Sequence, residues 1–491
     1  MKNKVQLITY VDRFGNGRFE DLDRLLTGDL KGLFGTVHIL PFFWPINGAD
    51  AGFDPIDHTR VDPVLGDWES VTRLGSHTDI AADLIVNHMS ADSPQFQDYL
   101  ANGDNSESAK LFLDLDTAFE GGVGDDDLQR VYRPRPTPVY STYSMSDGEQ
   151  KRFWTTFTDK QIDLDIRRPE TRSYLKGILE KLAAAGVTLV RLDAVGYAVK
   201  TRGTSCFMTP ETYEFMAELA GWCHELGMQV LAETHTHYER QIRTARHVDW
   251  VYDFALPPLL LHSLFTSNSV ALKNWFDICP RNAITVLDTH DGIGVMDVGP
   301  DAQDADSKGL LEPVHIDAMV ETIHRNTHGE SKRASAAGVR NLDLYQVNST
   351  YFSALGGNER DYLLARLVQF FSPGIPQVYY VGLLAGENDV ALLEERANGR
   401  DINRAYFPER EIEDRLARPV VRQLIALIRF RNEHKAFSGT FTNKSCGDTQ
   451  LRIRRQNGDH WASLFVDFRE RRFEVTCSGR DDTLTEFDQF Q

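Results

Sequence analysis

Residues 171–195 read Thr171-Arg-Ser-Tyr-Leu175-Lys-Gly-Ile178-Leu179-Glu-Lys-Leu182-Ala-Ala-Ala185-Gly-Val-Thr188-Leu-Val-Arg191-Leu-Asp193-Ala-Val195. The segment Thr171–Ala185 places apolar side chains at 175, 178, 179 and 182, the spacing of one helix face. From Thr188 the chain is nearly continuous in aliphatic residues, as in a strand covered on both faces, yet it carries Arg191 and Asp193 near its end. A helix leading into such a strand is the repeating unit of a parallel α/β sheet.

The same pattern recurs outward from this segment. Short apolar runs occupy Gln6–Val11, Val37–Phe43, Asp83–His88, Val230–His235, Trp250–Leu256, Ala283–Asp291 and Pro376–Val381, and Glu211–Leu226 is again helical in spacing. Together with Thr188–Val195 these are eight units, which fit a closed (β/α)8 TIM barrel. An open doubly wound sheet is the alternative, but no Gly-rich nucleotide turn follows the first run. The spacing is uneven. About a hundred residues separate His88 from Thr188, too many for one crossover, and they include Gly121, Gly122, Gly124, Pro134, Pro136 and Pro138. We therefore expect a catalytic barrel from residues 1–87, 168–292 and 357–436, an inserted domain at 88–167 after strand three, and an inserted subdomain at 293–356 after strand seven. Short alternating segments such as Leu451–Arg455 and Trp461–Phe468 indicate a small C-terminal β domain at 437–491.

Composition narrows the function. The chain has 491 residues, 41% hydrophobic, with a formal charge of −19, which argues against nucleic acid or an anionic membrane as partner. Five cysteines at 206, 223, 279, 446 and 477 contain no CxxC pair, so neither a disulfide framework nor a zinc cluster is expected. Met1–Asp12 lacks a signal-peptide run, and the most apolar stretch, Phe254–Phe265, is broken by Pro257, Pro258 and His262. A cytoplasmic protein is expected, and a homodimer is left open.

Four strand ends concentrate polar residues where a buried sheet should be apolar: Asp83–His88, Arg191–Ala194, Ala232–His235 and Thr289–Asp291. One such charge is as well explained by a structural ion pair; several meeting at one barrel mouth point to chemistry. Arg191 and Asp193 lie two apart and face the same way, so Arg191 is expected to keep Asp193 ionised. Glu233, among negative neighbours, is expected to stay protonated, and Asp291 supplies a third carboxylate. An ionised carboxylate paired with a protonated one is the requirement of glycoside cleavage. Asn87 is a candidate calcium ligand, but six to eight oxygens do not assemble around it in sequence. No metal or organic cofactor is expected.

These four segments resemble the conserved motifs of the α-amylase family of glycoside hydrolases. The resemblance implies Asp193 as nucleophile, Glu233 as acid/base and Asp291 as transition-state stabiliser, with His88, Arg191 and His290 around the glucosyl ring. Further segments, Asp50-Ala-Gly-Phe53, Arg191–Tyr197, Gly203–Pro210, Asp288–Ile293, Leu342–Ser349 and Asn398–Arg404, resemble the sucrose-cleaving phosphorylases within that family. That likeness implies Asp50 and Arg400 as a clamp on glucose hydroxyls. It implies Phe53, Tyr197 and Phe207 as the apolar wall, with Phe157 and Gln161 as further substrate contacts. Arg135 would contact phosphate with help from Tyr345 and His235, and Asp343 and Gln346 would contact fructose. The implied partners are sucrose, inorganic phosphate, glucose 1-phosphate and fructose, with a mobile loop at 342–350 serving phosphate and fructose in turn. Core packing is the plain alternative for each aromatic, and a solvated loop position for Arg135. A phosphorylase for glucosylglycerol, glucosylglycerate or phosphorylated sucrose, a hydrolase or transglucosidase, and a non-catalytic barrel are the competing functions.

Overall fold

The computed structural model describes residues 1–48, 50–133, 137–301, 303–304, 306–335, 341 and 344–490. Eight parallel strands close into a barrel in chain order: β1 (Gln6–Thr9), β2 (Thr36–Ile39), β3 (Asp79–Ile85), β4 (Val187–Asp193), β5 (Gln229–Ala232), β6 (Trp250–Asp253), β7 (Ala283–Thr285) and β8 (Ile375–Tyr379), with β8 pairing back onto β1. The expected runs are all present, but most strands are shorter. The polar ends of those runs leave the sheet and become the barrel mouth, because a carboxylate or imidazole aimed at ligand cannot also remain among apolar neighbours. The helices Pro169–Ala184 and Pro210–Glu225 lie where periodicity places them, each opened by a proline in its first turn. The apolar stretch from Phe254 forms a buried helix, Leu256–Thr266. Among the described residues no helix is long and apolar enough to cross a membrane.

Within the barrel, side chains from neighbouring strands form a polar chain. Arg191 of β4 is in register with Asp83 of β3. Its Nη1 donates to Asp83 and also to Asp193 Oδ1 at 2.9 Å. The other Asp83 oxygen meets His38 Nε2 at 3.0 Å, and Tyr252 Oη lies 3.3 Å from His38 Nδ1 and 3.1 Å from Gln377 Oε1.

The chain between β3 and β4 contains two small antiparallel pairs, His88–Ser90 with Gln161–Asp163 and Tyr140–Ser144 with Gln150–Trp154. It also has an apolar cluster of its own around Phe96, Tyr99, Phe112, Phe153 and Ile162. The buried Lys200 ammonium links this segment to the barrel: it reaches Asp163 Oδ2 at 2.6 Å, Asn87 Oδ1 at 2.9 Å and the Tyr197 carbonyl. Between β7 and β8 lie the helix Pro313–Asn326 and a short pair, Ile293–Gly294 with Gln346–Val347. At the C-terminus β9 (Thr440–Ser445), β10 (Gln450–Asn457), β11 (His460–Asp467) and β12 (Arg472–Cys477) form one antiparallel sheet.

Candidate active site

A cleft of about 610 Å³ opens at the carboxyl ends of the barrel strands, within the size range of small-molecule sites. Its lining includes Asp50, Phe53, His88, Phe157, Gln161, Asp193, Tyr197, Glu233, His235, His290, Asp291, Tyr345, Gln346 and Arg400. The sequence motifs are therefore brought together from the ends of β2, β3, β4, β5, β7 and β8. Arg191 stands behind Asp193 rather than on the wall. Arg135 and Asp343 lie outside the described residues.

Asp193 is the last residue of β4, and the next residue, Ala194, has a left-handed backbone with φ 54°. Such a conformation is strained for a residue with a Cβ and marks a chain turn fixed by its surroundings. The Asp193 carboxyl differs from the sequence expectation. Burial pushes it well above the usual carboxylate range; Arg191 opposes this, while Glu233, Asp83 and Asp291 add to it. Arg191 does not overcome the burial, and it serves Asp83 as well as Asp193. Burial also pushes Glu233 up, with Arg191 and His235 lowering it and Asp291 raising it. Desolvation, more than negative neighbours, is thus what favours the protonated form of Glu233. The two carboxyls titrate as a pair. Asp193 accepts a direct hydrogen bond from the Arg191 guanidinium and Glu233 accepts one from the Ala194 backbone, and the charged donor is the one that favours an ionised carboxylate, at Asp193.

Asp291 behaves oppositely. Burial would raise it, but His290, Arg400 and Arg404 hold it well below the usual range, so it stays ionised. Arg400 Nη1 lies 2.8 Å from Asp291 Oδ1, and its Nη2 bonds to Asp50. One guanidinium fork therefore ties the loops after β2, β7 and β8 together. Arg404, fully buried behind it, donates to the His290 carbonyl at 2.8 Å. The His290 ring stacks on Phe53 at 4.8 Å and 9°. His88 Nε2 donates to the Phe53 carbonyl at 3.0 Å. The Nδ1 atoms of His88 and His290 are buried with no partner among the described residues, and burial lowers both imidazoles below their ordinary value. Neutral rings with an unused nitrogen suit sugar hydroxyls.

Phe157 packs edge-on to His88 and Tyr197, and Gln161 Nε2 reaches the Phe53 carbonyl at 3.5 Å. Phe207 differs from expectation. It is buried against Tyr197 at 4.5 Å and Tyr132 at 4.7 Å, one layer behind the cleft wall, so it supports the wall rather than forming it. Asn87 is also reassigned: its side-chain oxygen accepts from the Lys200 ammonium, a cation supplied by the chain itself. Glu233, His235 and Asp291 place one donor atom each within 4.8 Å of one another. Three donors fall short of a calcium shell, and Asp291 is already neutralised by Arg400, so no metal is assigned to them.

Sequence reading missed Asp297, which is fully buried and 3.0 Å from His235 Nδ1. Its signal was a single acid in the apolar run Ile293-Gly-Val-Met-Asp297-Val298. It also missed Ser335 and Asn348 on the cleft wall, where nothing in their type or spacing distinguishes them.

Comparison with known proteins agrees with this geometry. The family model for the alpha amylase catalytic domain matches residues 16–291. The chain is 53% identical to a sucrose phosphorylase of Agrobacterium vitis, over 98% of both chains. It is 51% identical to a sucrose phosphorylase of Bifidobacterium adolescentis, over 92% of this chain and 89% of that one. A crystal structure of a sucrose 6F-phosphate phosphorylase from Thermoanaerobacter thermosaccharolyticum superposes with a TM-score of 0.90 at 37% identity, covering 99% of this chain and 98% of the other.

Proposed function

Since the chain belongs to the alpha-amylase family, we propose that it catalyses the reversible, retaining phosphorolysis of sucrose to α-D-glucose 1-phosphate and D-fructose. The observation that carries this reading is the meeting of Asp193, Glu233 and Asp291 in one cleft with the Asp50–Arg400–Asp291 bridge. The bridge supports a half-site for a single glucosyl unit. Its hydroxyls are met by Asp50, Arg400, His88 and His290, and its ring by Phe53 and Tyr197.

Asp193 attacks the anomeric carbon as Glu233 passes its proton to the departing fructosyl oxygen. The bond from carbon to that oxygen breaks, and a glucosyl ester forms on Asp193. Ionised Asp291 stabilises the positive charge that develops on the ring in both steps. Phosphate then replaces fructose, attacks the same carbon, gives a proton back to Glu233 and expels Asp193. Two inversions leave the configuration retained. Arg135, His235 and Tyr345 bind the phosphate, and Asp343 and Gln346 bind fructose. Five free cysteines fit a reducing, cytoplasmic setting.

Product analysis with sucrose, with and without phosphate, tests the reading. Phosphate-dependent release of α-glucose 1-phosphate is expected; inert sucrose, or free glucose alone, refutes it. Arg135→Ala is expected to raise the phosphate KM far more than it alters sucrose hydrolysis, and equal losses remove that residue's role.

A further inference from the structure

His235 sits at the acceptor side of the cleft between two fixed partners, and together they determine where its proton is. On one side, Asp297 Oδ2 faces Nδ1 at 3.0 Å, while Oδ1 of the same carboxylate accepts the Thr236 N–H at 3.1 Å. A carboxylate accepts, so Nδ1 carries hydrogen. On the other side, Gln346 Nε2 faces His235 Nε2 at 3.1 Å. The orientation of that amide is fixed, because the Gly292 backbone N–H must donate, and it meets Gln346 Oε1 at 3.1 Å. The atom facing His235 is therefore an NH₂ group, and Nε2 must accept from it. The arrangement requires the neutral Nδ1–H tautomer.

Electrostatics pull the other way. Asp297 is fully buried, and its slot exists because residue 294 is glycine: a Cβ there would fall 2.0 Å from Asp297 Oδ2. A buried carboxylate facing a neutral ring is uncompensated. The groups facing His235 are Asp297 from the turn after Ile293–Gly294, Glu233 at the end of β5, Asp291 after β7, and the Tyr345 phenol, which burial keeps neutral. The carboxylates outweigh burial and raise the His235 pKa above its ordinary value. The hydrogen bond to Gln346 thus holds neutral a ring whose charged neighbours favour the imidazolium.

We infer that His235 is a proton-state selector for the acceptor half of the cleft: neutral, it accepts from Gln346; protonated at Nε2, it releases Gln346 and donates to phosphate. This rests on the phosphorolytic reading above. Dihydrogen phosphate brings the proton: one O–H breaks, one Nε2–H forms, and monohydrogen phosphate remains beside an imidazolium with total charge unchanged. That anion keeps one proton, the one Glu233 takes back when the glucosyl ester is attacked. Fructose carries no acidic proton and leaves the His235–Gln346 hydrogen bond intact. The same pocket thereby presents a neutral amide–imidazole pair to a sugar and a cation to an anion. Asp297 acts as a positioning residue, fixing the ring and supplying the charge that makes the second proton favourable.

Nitrogen-15 NMR of the full chain labelled at histidine tests this directly, with the His235 signals identified by their loss in His235→Gln. The free protein near neutral pH is expected to show the Nδ1–H tautomer, saturating inorganic phosphate the imidazolium, and saturating fructose no change. An imidazolium already present without phosphate, or a ring that stays neutral with phosphate bound, overturns the inference. Phosphate-dependent glucose 1-phosphate release in the same samples separates this failure from failure of the phosphorylase reading. Asp297→Asn provides a kinetic counterpart. Weakening a charge-assisted contact should raise the phosphate KM about tenfold or more, with sucrose hydrolysis changed less than about threefold. A parallel loss in both reactions would mean a merely structural role.

Discussion

Replacing Arg400 by lysine keeps the charge and removes the fork. In the wild-type cleft one guanidinium spans Asp291 Oδ1 at 2.8 Å and Asp50, which an ammonium cannot do with the same geometry. One charge-assisted hydrogen bond is lost, worth about 1.5–3 kcal/mol. Arg400→Lys should therefore lower kcat/KM roughly ten- to hundredfold. Arg400→Ala removes both contacts and leaves two carboxylates facing each other. Arg404, at 3.7 Å from Asp291 and 3.9 Å from Asp50, is too far to replace them. Breaking a buried pair on this scale costs about 3–5 kcal/mol, a loss of two to more than three decades in rate. Initial rates of glucose 1-phosphate release over a range of sucrose concentrations provide the assay, with circular dichroism confirming the fold. The pH profile adds a sign. Asp291 must be ionised, and its depressed pKa keeps it so until the pH falls well below the usual carboxylate range. Without Arg400 that pKa rises, so the acid limb of kcat/KM moves to higher pH. Lysine within about threefold of wild type, alanine no worse than lysine, or an acid limb moved downward would refute the bridge as the holder of the glucosyl unit.

Lys200→Met strips Asp163 of its cation and should destabilise the fold by about 3–5 kcal/mol, read from the urea midpoint. The double variant with Asp163→Asn should lose less than the single one, and full additivity would contradict the pairing. Asp193→Ala should abolish phosphorolysis and hydrolysis together. It should leave the melting temperature unchanged or higher, since a carboxyl that burial disfavours is removed; retained turnover refutes the nucleophile. Acid should begin to weaken the fold already below the ordinary imidazole value. Burial lowers His58 to about 3 and also lowers His88 and His290, so below the ordinary imidazole value the unfolded chain binds more protons and stability falls with pH. Urea midpoints measured downward from neutral pH should show this slope, and His58→Phe should flatten it; a midpoint independent of pH would contradict it.

The barrel was legible because each strand is a short aliphatic run ending in polar residues, and the three carboxylates were legible because they interrupt such runs. What lies behind them was harder to read. Phe207 shares residue type with Phe53, but only packing decides which aromatic meets ligand and which one backs it. The balance of forces on Asp193 was only half legible, because sequence places Arg191 beside it and does not show that Asp83, more than a hundred residues away in sequence, claims the same guanidinium. Lys200 has no local pattern, and the lone acid Asp297 in its apolar run does not reveal its partner: each acts through a residue distant in sequence, Asp163 and His235. Charges at strand ends mark a mouth, whereas charges in loops acquire meaning only once the loops are folded together.

The line from Gln377 through Tyr252, His38, Asp83 and Arg191 to Asp193 gives the inside of the barrel a second duty. In many barrels that interior is filler, open to any set of side chains with the right volume. Here the filler is wired to the nucleophile. Directed evolution that repacks the barrel for heat resistance would change reactivity even when every residue touching sugar is left alone. Conversely, a screen for altered rate or pH optimum should recover substitutions at His38 or Gln377, deep inside the barrel and away from the cleft.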